Sequence, residues 1–342
     1  MEYKLYLIVF FIFFLFVINF IMKKFSFSLD KMSINESHKS LLRQDDSTPL
    51  SGTYYFLPII FILFYKFDII AIISCSFFFI LGLMSDLKIT NSPKLRLIFQ
   101  FLILFFLLFL NNGIIIDTKI EALNNLMNHN LSRIMICSFF FMVLINGFNL
   151  IDGVNCLCSL NFLIVLFFSY LLIKNLSPSS FNYELIIMIM ATSIFITFNF
   201  FGKNFLGDGA AYGIGFLLGF ILIKISLLNN LVSPYFLANL LWYPAFENLF
   251  SIIRRALSRK KNYLPDNDHL HQMIFIYFKK KNFIKKNFLL SSFVGIVINL
   301  YLFFVYSIGY FFYTHTIIQI TLITSSIIVY LILYYILVKF HK

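Results

Sequence analysis

Four short clusters of polar residues interrupt an otherwise apolar sequence, and their side chains are of types that bind cations or phosphate. The first contains Asp86 and Arg96, and the second runs from Asn146 to Asn155. The third is centred on Asp208, which lies between two glycines, and the fourth runs from Arg254 to Gln272. Carboxylates bind hard cations such as Mg²⁺, whereas guanidinium and imidazolium groups hold phosphate. These residue types together indicate chemistry on a metal-bound diphosphate.

Two of the clusters have more than one explanation. Asp86 could bind a cation or take a proton, and Lys94 and Arg96 could hold a phosphate. The same cluster also fits a helix-end charge that is paired with a nearby lysine in headgroup water. Asp208 leads directly into an apolar run, where the N-terminal amides of a helix would favour phosphate. Simple N-capping of that helix by Asp208 is a compatible alternative.

The second cluster contains Asn149, Asp152 and Asn155, which are three residues apart and would lie near one face of a helix. If Gly153 ends the helix, Asp152 would stand at its C-terminal end instead. Polar groups at membrane depth are costly unless something polar binds them. We therefore expect a ligand here in preference to a purely structural hydrogen-bond network.

The fourth cluster supplies basic residues and two histidines. Arg254 and Arg255 precede it, and His269 and His271 are two residues apart. That spacing is poor for a zinc ion shared on one helix, whereas contacts from a loop to phosphate suit both histidines. We expect these four residues to contact phosphate.

The composition requires a membrane protein. Of the 342 residues, 60% are hydrophobic and 12% are charged, whereas a soluble domain has about 25% charged residues. Too little polar surface remains to cover a water-soluble globule of this size. The sequence therefore predicts one all-α polytopic membrane domain over residues 1–342.

About eleven apolar runs are candidates to cross the bilayer, and each must be helical because lipid offers no partner to a free backbone group. Their predicted centres are Leu5–Met22, Gly52–Phe64, Ile69–Met84, Leu97–Leu110, Ile134–Leu150, Leu160–Ile173, Leu185–Phe201, Ala210–Ile223, Leu231–Phe246, Phe288–Tyr313 and Ile317–Val338. The active-site loops are predicted at residues 84–96, 146–158, 202–210 and 247–287.

Basic residues set the predicted orientation. Most of the 27 Lys and Arg residues follow odd-numbered runs or lie at the C-terminus, which places these segments in the cytoplasm and the N-terminus outside. All four polar clusters then lie at the cytoplasmic ends of odd runs. Topology and attraction to anionic lipid explain the net charge of +12, and no nucleic-acid partner is expected.

The ordered motifs also resemble a known family. Gly82-x-x-x-Asp86 with Ser92-Pro93-Lys94-x-Arg96 comes first, followed by Asn149-Leu-Ile-Asp-Gly-Val-Asn155, Phe205-Leu-Gly-Asp-Gly-Ala210 and Asp266-x-Asp-His-Leu-His271. This order resembles the polyprenyl-phosphate N-acetylhexosamine-1-phosphate transferase family, also called glycosyltransferase family 4. The Asp-His-Leu-His ending resembles the undecaprenyl-phosphate N-acetylglucosamine-1-phosphate transferase branch, which initiates surface polysaccharides.

The resemblance implies an enzyme of the bacterial inner membrane that transfers a sugar 1-phosphate from a UDP-N-acetylhexosamine to undecaprenyl phosphate and releases UMP. It implies Mg²⁺ as the cofactor, with Mn²⁺ as an alternative, and leaves a homodimer open. The resemblance implies catalytic roles for Asp86, Asp152, Asp208, His269 and His271, with Asp208 and Asp152 on the metal. Lys94, Arg96, Asn149, Asn155, Arg254 and Arg255 are the candidate substrate-binding residues.

The sequence departs from the family pattern at several positions. Ser85 stands where the family has the first Asp of an Asp-Asp pair, and Asn155 stands where Asp is frequent. The first departure removes one carboxylate, so a catalytically impaired relative that acts as a scaffold is one alternative. A membrane transporter is another, although transporters tend to have sites near the midplane between repeated halves.

Overall fold

The computed structural model of the protein describes residues 2–31, 47–65, 68–90, 92–110, 117–176, 181–257 and 268–341. These residues form thirteen helices and one two-stranded antiparallel sheet. The elements in chain order are α1 (Glu2–Phe25), β1 (Leu29–Lys31), β2 (Ser47–Pro49), α2 (Gly52–Phe64), α3 (Ile69–Asp86), α4 (Pro93–Leu110), α5 (Glu121–Met127), α6 (Asn130–Ile151), α7 (Leu157–Leu176), α8 (Asn182–Phe200), α9 (Gly207–Leu228), α10 (Pro234–Leu257), α11 (Leu270–Lys280), α12 (Asn287–Phe311) and α13 (Thr316–His341).

The predicted class, an all-α polytopic membrane protein, is confirmed. Each of the eleven apolar runs corresponds to one helix, and α5 and α11 are additional short helices. Within the described ranges, nine helices are long and apolar enough to cross a membrane. Helix α2 has only 13 residues, and α10 contains Asn239, Glu247 and Asn248, which lower its hydropathy. The count of eleven spans and the orientation therefore stay predictions.

Helix α9 lies at the centre of the bundle, between α3 and α6. Glycines let its backbone approach both neighbours closely, as small residues do between membrane helices. A Cβ atom on Gly82 of α3 would lie 2.4 Å from the Cα of Gly209. On the other side, a Cβ on Gly215 would lie 3.0 Å from the Cα of Ile145 in α6. These contacts bring the C-terminal ends of α3 and α6 beside the N-terminus of α9.

Several helices extend into the predicted active-site loops. Asp86 is the last residue of α3, Arg96 lies in the first turn of α4, and Asn149 lies in the last turn of α6. Asp208 is the second residue of α9. The predicted loop 247–287 likewise contains the end of α10 and all of α11, whereas residues 258–267 lie outside the described ranges. Hydropathy marks the edge of the membrane, and a helix can continue beyond that edge because its backbone bonds are internal.

The segment before α2 and the segment before α9 meet at the same end of the bundle. The Phe205 N–H donates to the Pro49 carbonyl at 2.9 Å, and the Gly52 N–H donates to the Phe205 carbonyl at 3.3 Å. Both segments follow odd-numbered runs, so this contact agrees with the prediction that such segments share one face.

Topology reporters test the predicted orientation. Fusions at Lys88 and at Lys281 should both report the cytoplasm, because both residues follow odd-numbered runs. A fusion at Lys119, which follows the fourth run, is the matched control and should report the opposite side. A periplasmic signal from Lys88 or Lys281 would contradict the orientation.

Substitutions at the two helix contacts test how closely α9 is packed. Gly82→Ala should lower the melting temperature in nanodiscs more than Gly215→Ala, because its new methyl group meets backbone at 2.4 Å instead of 3.0 Å. Alanine gains up to about 1 kcal/mol of helix propensity at either site, so the difference between the variants reports the contact with α3. Equal melting temperatures would show that the contact between α3 and α9 can rearrange around the methyl group at little cost in stability.

Candidate active site

The Asp208 carboxylate joins three of the four polar clusters. Its Oδ1 accepts a hydrogen bond from Asn149 Nδ2 at 2.8 Å. Its Oδ2 accepts one from Ser85 Oγ at 2.7 Å and forms an ion pair with Arg96 Nη1 at 3.1 Å. Arg96 Nη1 also donates to Ser85 Oγ. The side chains of Arg96 and Asp208 are 21% and 23% exposed, so solvent and small ligands can reach this group.

Asp86 caps helix α9 from the neighbouring helix. Its carboxylate accepts the backbone N–H of Asp208 at 2.9 Å and that of Gly209 at 3.2 Å. Gly207 has a positive φ of 83°, and a Cβ there would lie 2.8 Å from Asp86 Oδ2, so a side chain would disturb the cap. The alternative in which Asp208 itself is the N-cap is wrong. Asp208 lies inside the first turn, and its side chain is left to face the other clusters.

The chain turns sharply after α6, so the three polar residues of the second cluster do not share one helical face. Asp152 is the C-cap of α6, and Cys156 has a positive φ of 64°. The Asn155 N–H donates to Ser291 Oγ of α12 at 2.8 Å. The Asn155 side chain is buried, and its Nδ2 has no hydrogen-bond partner among the described residues. Asn149 therefore contacts Asp208, while Asn155 is buried beside α12.

The two histidines form a buried group with Glu247, a carboxylate that was not among the site residues predicted from the sequence. Nδ1 of His269 bonds Glu247 Oε1 at 2.9 Å, and the Tyr330 hydroxyl donates to Glu247 Oε2 at 2.9 Å. The rings of His269 and His271 stack with their centroids 5.7 Å apart. A Cβ on Gly153 would lie 2.3 Å from His271 Nε2. The fourth cluster is thus packed against the turn of the second.

His271 carries no charge at neutral pH. Burial lowers the pKa of its imidazole to about 3, so the expected imidazolium does not form there. Neither ring nitrogen has a hydrogen-bond partner among the described residues, although the side chain is fully buried. A buried polar group without a partner is costly, which makes this ring a candidate to contact a ligand.

The remaining candidate cations have different surroundings. Arg254 donates to the Asp268 carbonyl and to the Tyr334 hydroxyl, the latter at 3.1 Å, so it fixes the segment before α11. Arg255 is half-buried on α10, and Lys94 is exposed at the start of α4.

Glu247 could have been found from the sequence. An ionisable residue within a membrane helix is a functional candidate by default. The predicted apolar run ended at Phe246, which placed Glu247 in a loop, where a carboxylate needs no special explanation. In the structure, α10 continues to Leu257, and Glu247 is completely buried.

Comparisons with known proteins agree with these motifs. Residues 69–226 match the family described as glycosyl transferase family 4, and this range includes Asp86, Asn149 and Asp208. The phospho-N-acetylmuramoyl-pentapeptide-transferase of Dictyoglomus thermophilum is 28% identical over 239 residues, which cover 67% of this chain and 75% of that relative. Over residues 69–226, which are just under half of the chain, the protein resembles glycosyl transferase family 4. This similarity supports transfer of a phospho-sugar to polyprenyl phosphate in the membrane, in agreement with the predicted class of enzyme.

The buried carboxylate gives a stability prediction. Glu247→Ala leaves His269 and Tyr330 without their shared acceptor, and each buried unsatisfied group costs about 1–3 kcal/mol. We expect a clearly lower melting temperature in nanodiscs. Glu121→Ala, at the exposed start of α5, is the control and should change it little. Equal effects of the two substitutions would show that the Glu247 contacts contribute nothing to stability.

Proposed function

We propose that the protein transfers N-acetylhexosamine 1-phosphate from a UDP-N-acetylhexosamine to undecaprenyl phosphate and releases UMP. The transfer would take place at the cytoplasmic face of a bacterial inner membrane and start a lipid-linked polysaccharide of the O-antigen type. The observation that carries this proposal is the set of polar contacts to the carboxylate of Asp208. Three other helices each contribute one partner, namely Ser85, Arg96 and Asn149. A carboxylate with a guanidinium and an amide beside it at the membrane surface suits a cation-bound diphosphate of a UDP-sugar and a phosphate delivered by a lipid.

A divalent cation fits this group of residues. Mg²⁺ is usually bound by one or two carboxylates and completes its octahedron with waters and substrate phosphates. The described residues contain no group of three or more His, Cys, Asp or Glu side chains that could hold a metal, so waters and, when substrate is bound, phosphate oxygens would supply the remaining ligands. The Arg96 guanidinium already occupies a cation position beside Asp208 Oδ2. We propose Asp208 as the main metal ligand and Asp152 as the second, with Mn²⁺ as an alternative to Mg²⁺.

The proposed reaction is a single substitution at phosphorus. An oxygen of the lipid phosphate attacks the β-phosphorus of the UDP-sugar, and the bond from that phosphorus to the bridging oxygen breaks. The bridging oxygen leaves with the electron pair as part of UMP. When bound, the metal neutralises negative charge on the diphosphate as this bond breaks. Because a lipid phosphate is already largely ionised near pH 7, the protein need not supply a strong base.

The candidate side chains then have distinct proposed roles. Asp86, which accepts two backbone N–H groups of α9, keeps Asp208 in place. Arg96 and Lys94 at the start of α4 would bind phosphate oxygens. The neutral His271 ring can donate or accept one hydrogen bond to a phosphate or uracil oxygen. His269 is held in a fixed tautomer and orientation by Glu247.

The donor sugar has two candidates. The Asp-His-Leu-His ending favours a simple UDP-N-acetylhexosamine. The printed name of the relative from Dictyoglomus thermophilum favours a UDP-activated N-acetylmuramoyl-pentapeptide instead. Both donors place the same diphosphate at Asp208, so the difference must lie in residues that contact the sugar.

A donor panel tests the function. Purified protein in nanodiscs with Mg²⁺ and undecaprenyl phosphate should release UMP from UDP-N-acetylglucosamine or a related UDP-N-acetylhexosamine. Release of UMP only from the muramoyl-pentapeptide donor would show that the donor is the one that the name of the Dictyoglomus thermophilum relative favours. No release with any donor, while a known family member is active in the same assay, would support the scaffold alternative. Chelation with EDTA should stop release, and added Mg²⁺ should restore it.

The role of Asp208 gives a separate prediction. Asp208→Asn removes the negative charge but preserves the size of the side chain, and we expect turnover to fall about 100-fold or more, because charge stabilisation in such sites has effects of this size. Asp117→Asn, at an exposed carboxylate before α5, is the matched control and should retain activity. Near-normal turnover by Asp208→Asn would contradict a ligand role.

A further inference from the structure

Arg96 and Ser85 both bind the same oxygen of Asp208. Arg96 Nη1 forms an ion pair with Oδ2 at 3.1 Å, and the Ser85 hydroxyl donates to this oxygen at 2.7 Å. Arg96 also donates to Ser85, so the three side chains form a closed triangle. We propose that this triangle, which we call the Arg96 latch, occupies Asp208 Oδ2 until a divalent cation displaces Arg96. The proposal rests on the metal role of Asp208 proposed above.

The position of Arg96 is suited to displacement. Both side chains are about one fifth exposed, and ion pairs that solvent can reach are weak because water screens them. A divalent cation carries twice the charge of a guanidinium and can approach a carboxylate oxygen more closely. The cation can therefore compete for Oδ2, and it displaces Arg96 when it binds there, because both cannot occupy the same side of the carboxylate.

The guanidinium is incompletely satisfied in the latched arrangement. Arg96 Nε is buried and has no hydrogen-bond partner among the described residues. An arginine prefers to use its donors in pairs towards carboxylate or phosphate. Displacement from Asp208 would free the guanidinium for phosphate oxygens of the diphosphate. Cation binding and phosphate binding are then linked through one side chain.

Ser85 makes this latch possible in this chain. Its hydroxyl donates to Asp208 and accepts from Arg96 at the same time, which a neutral group of this size can do. A carboxylate at this position would bind Arg96 itself and place a second negative charge beside Asp208. The departure at Ser85 therefore leaves Asp208 as the principal anionic partner of Arg96 within the triangle.

The test measures metal binding without turnover. Mn²⁺ is titrated into the purified protein in nanodiscs without substrate, and free Mn²⁺ is followed by electron paramagnetic resonance. Arg96→Gln should bind Mn²⁺ about tenfold more tightly than the wild type, a change within the usual range for coupled sites. Ser85→Ala should show a smaller increase in Mn²⁺ affinity. Arg96→Lys, which keeps the positive charge, should bind Mn²⁺ with an affinity closer to that of the wild type. Melting temperatures confirm that each variant is folded.

Lys94→Gln is the matched control, because it removes the same charge two residues away from an exposed side chain. If Lys94→Gln tightens Mn²⁺ binding as much as Arg96→Gln, the effect is general electrostatics and the latch is wrong. Unchanged affinity of Arg96→Gln, while Asp208→Asn abolishes binding, would overturn the latch and leave the metal role of Asp208 intact. Wild-type affinity in Asp208→Asn would overturn that metal role, and the latch with it.

Discussion

The contact between the backbones of α3 and α9 determines the geometry of the site. Gly82 lets the two helices approach until side chains no longer separate them, and Asp86, four residues later, reaches the first amides of α9. A helix N-terminus has unpaired N–H groups that need acceptors, and here the acceptor comes from a different helix. The direction of Asp208, and therefore everything that contacts Asp208, depends on this one cap.

The polar groups at this end of the bundle largely satisfy one another. Asp208 has an amide, a hydroxyl and a guanidinium as partners, and Glu247 has a histidine and a tyrosine. Such pairing reduces the cost of placing charged groups beside hydrocarbon. His271 and Asn155 differ, since both are buried with side-chain atoms that lack partners among the described residues. These two side chains adjoin the turn after α6, which makes that turn a further candidate to contact a ligand.

The family match ends at residue 226, whereas the histidine cluster follows it in the chain. The structure nevertheless packs His271 against Gly153, which lies inside the matched range. The range that matches the family and the histidine cluster are thus neighbours in space. Glu247 and Tyr330 fix this segment from α10 and α13, so the last third of the chain contributes to the site although its sequence carries few recognisable motifs.

The sequence by itself determined the membrane class, the eleven helical runs and the four clusters, because hydrophobic length and isolated polar residues are local properties. It also singled out Asp208 and flagged Ser85 as a departure. Only the tertiary structure decided that Asp86 caps α9, that Ser85 and Arg96 share one oxygen of Asp208, and that Glu247 is buried beneath His269. These facts join residues up to 123 positions apart, and no periodicity or spacing within one segment can specify which helix ends meet. Several helices are longer than the predicted apolar runs for a related reason. Hydropathy indicates which residues lie in the hydrocarbon, whereas backbone hydrogen bonding determines where a helix ends.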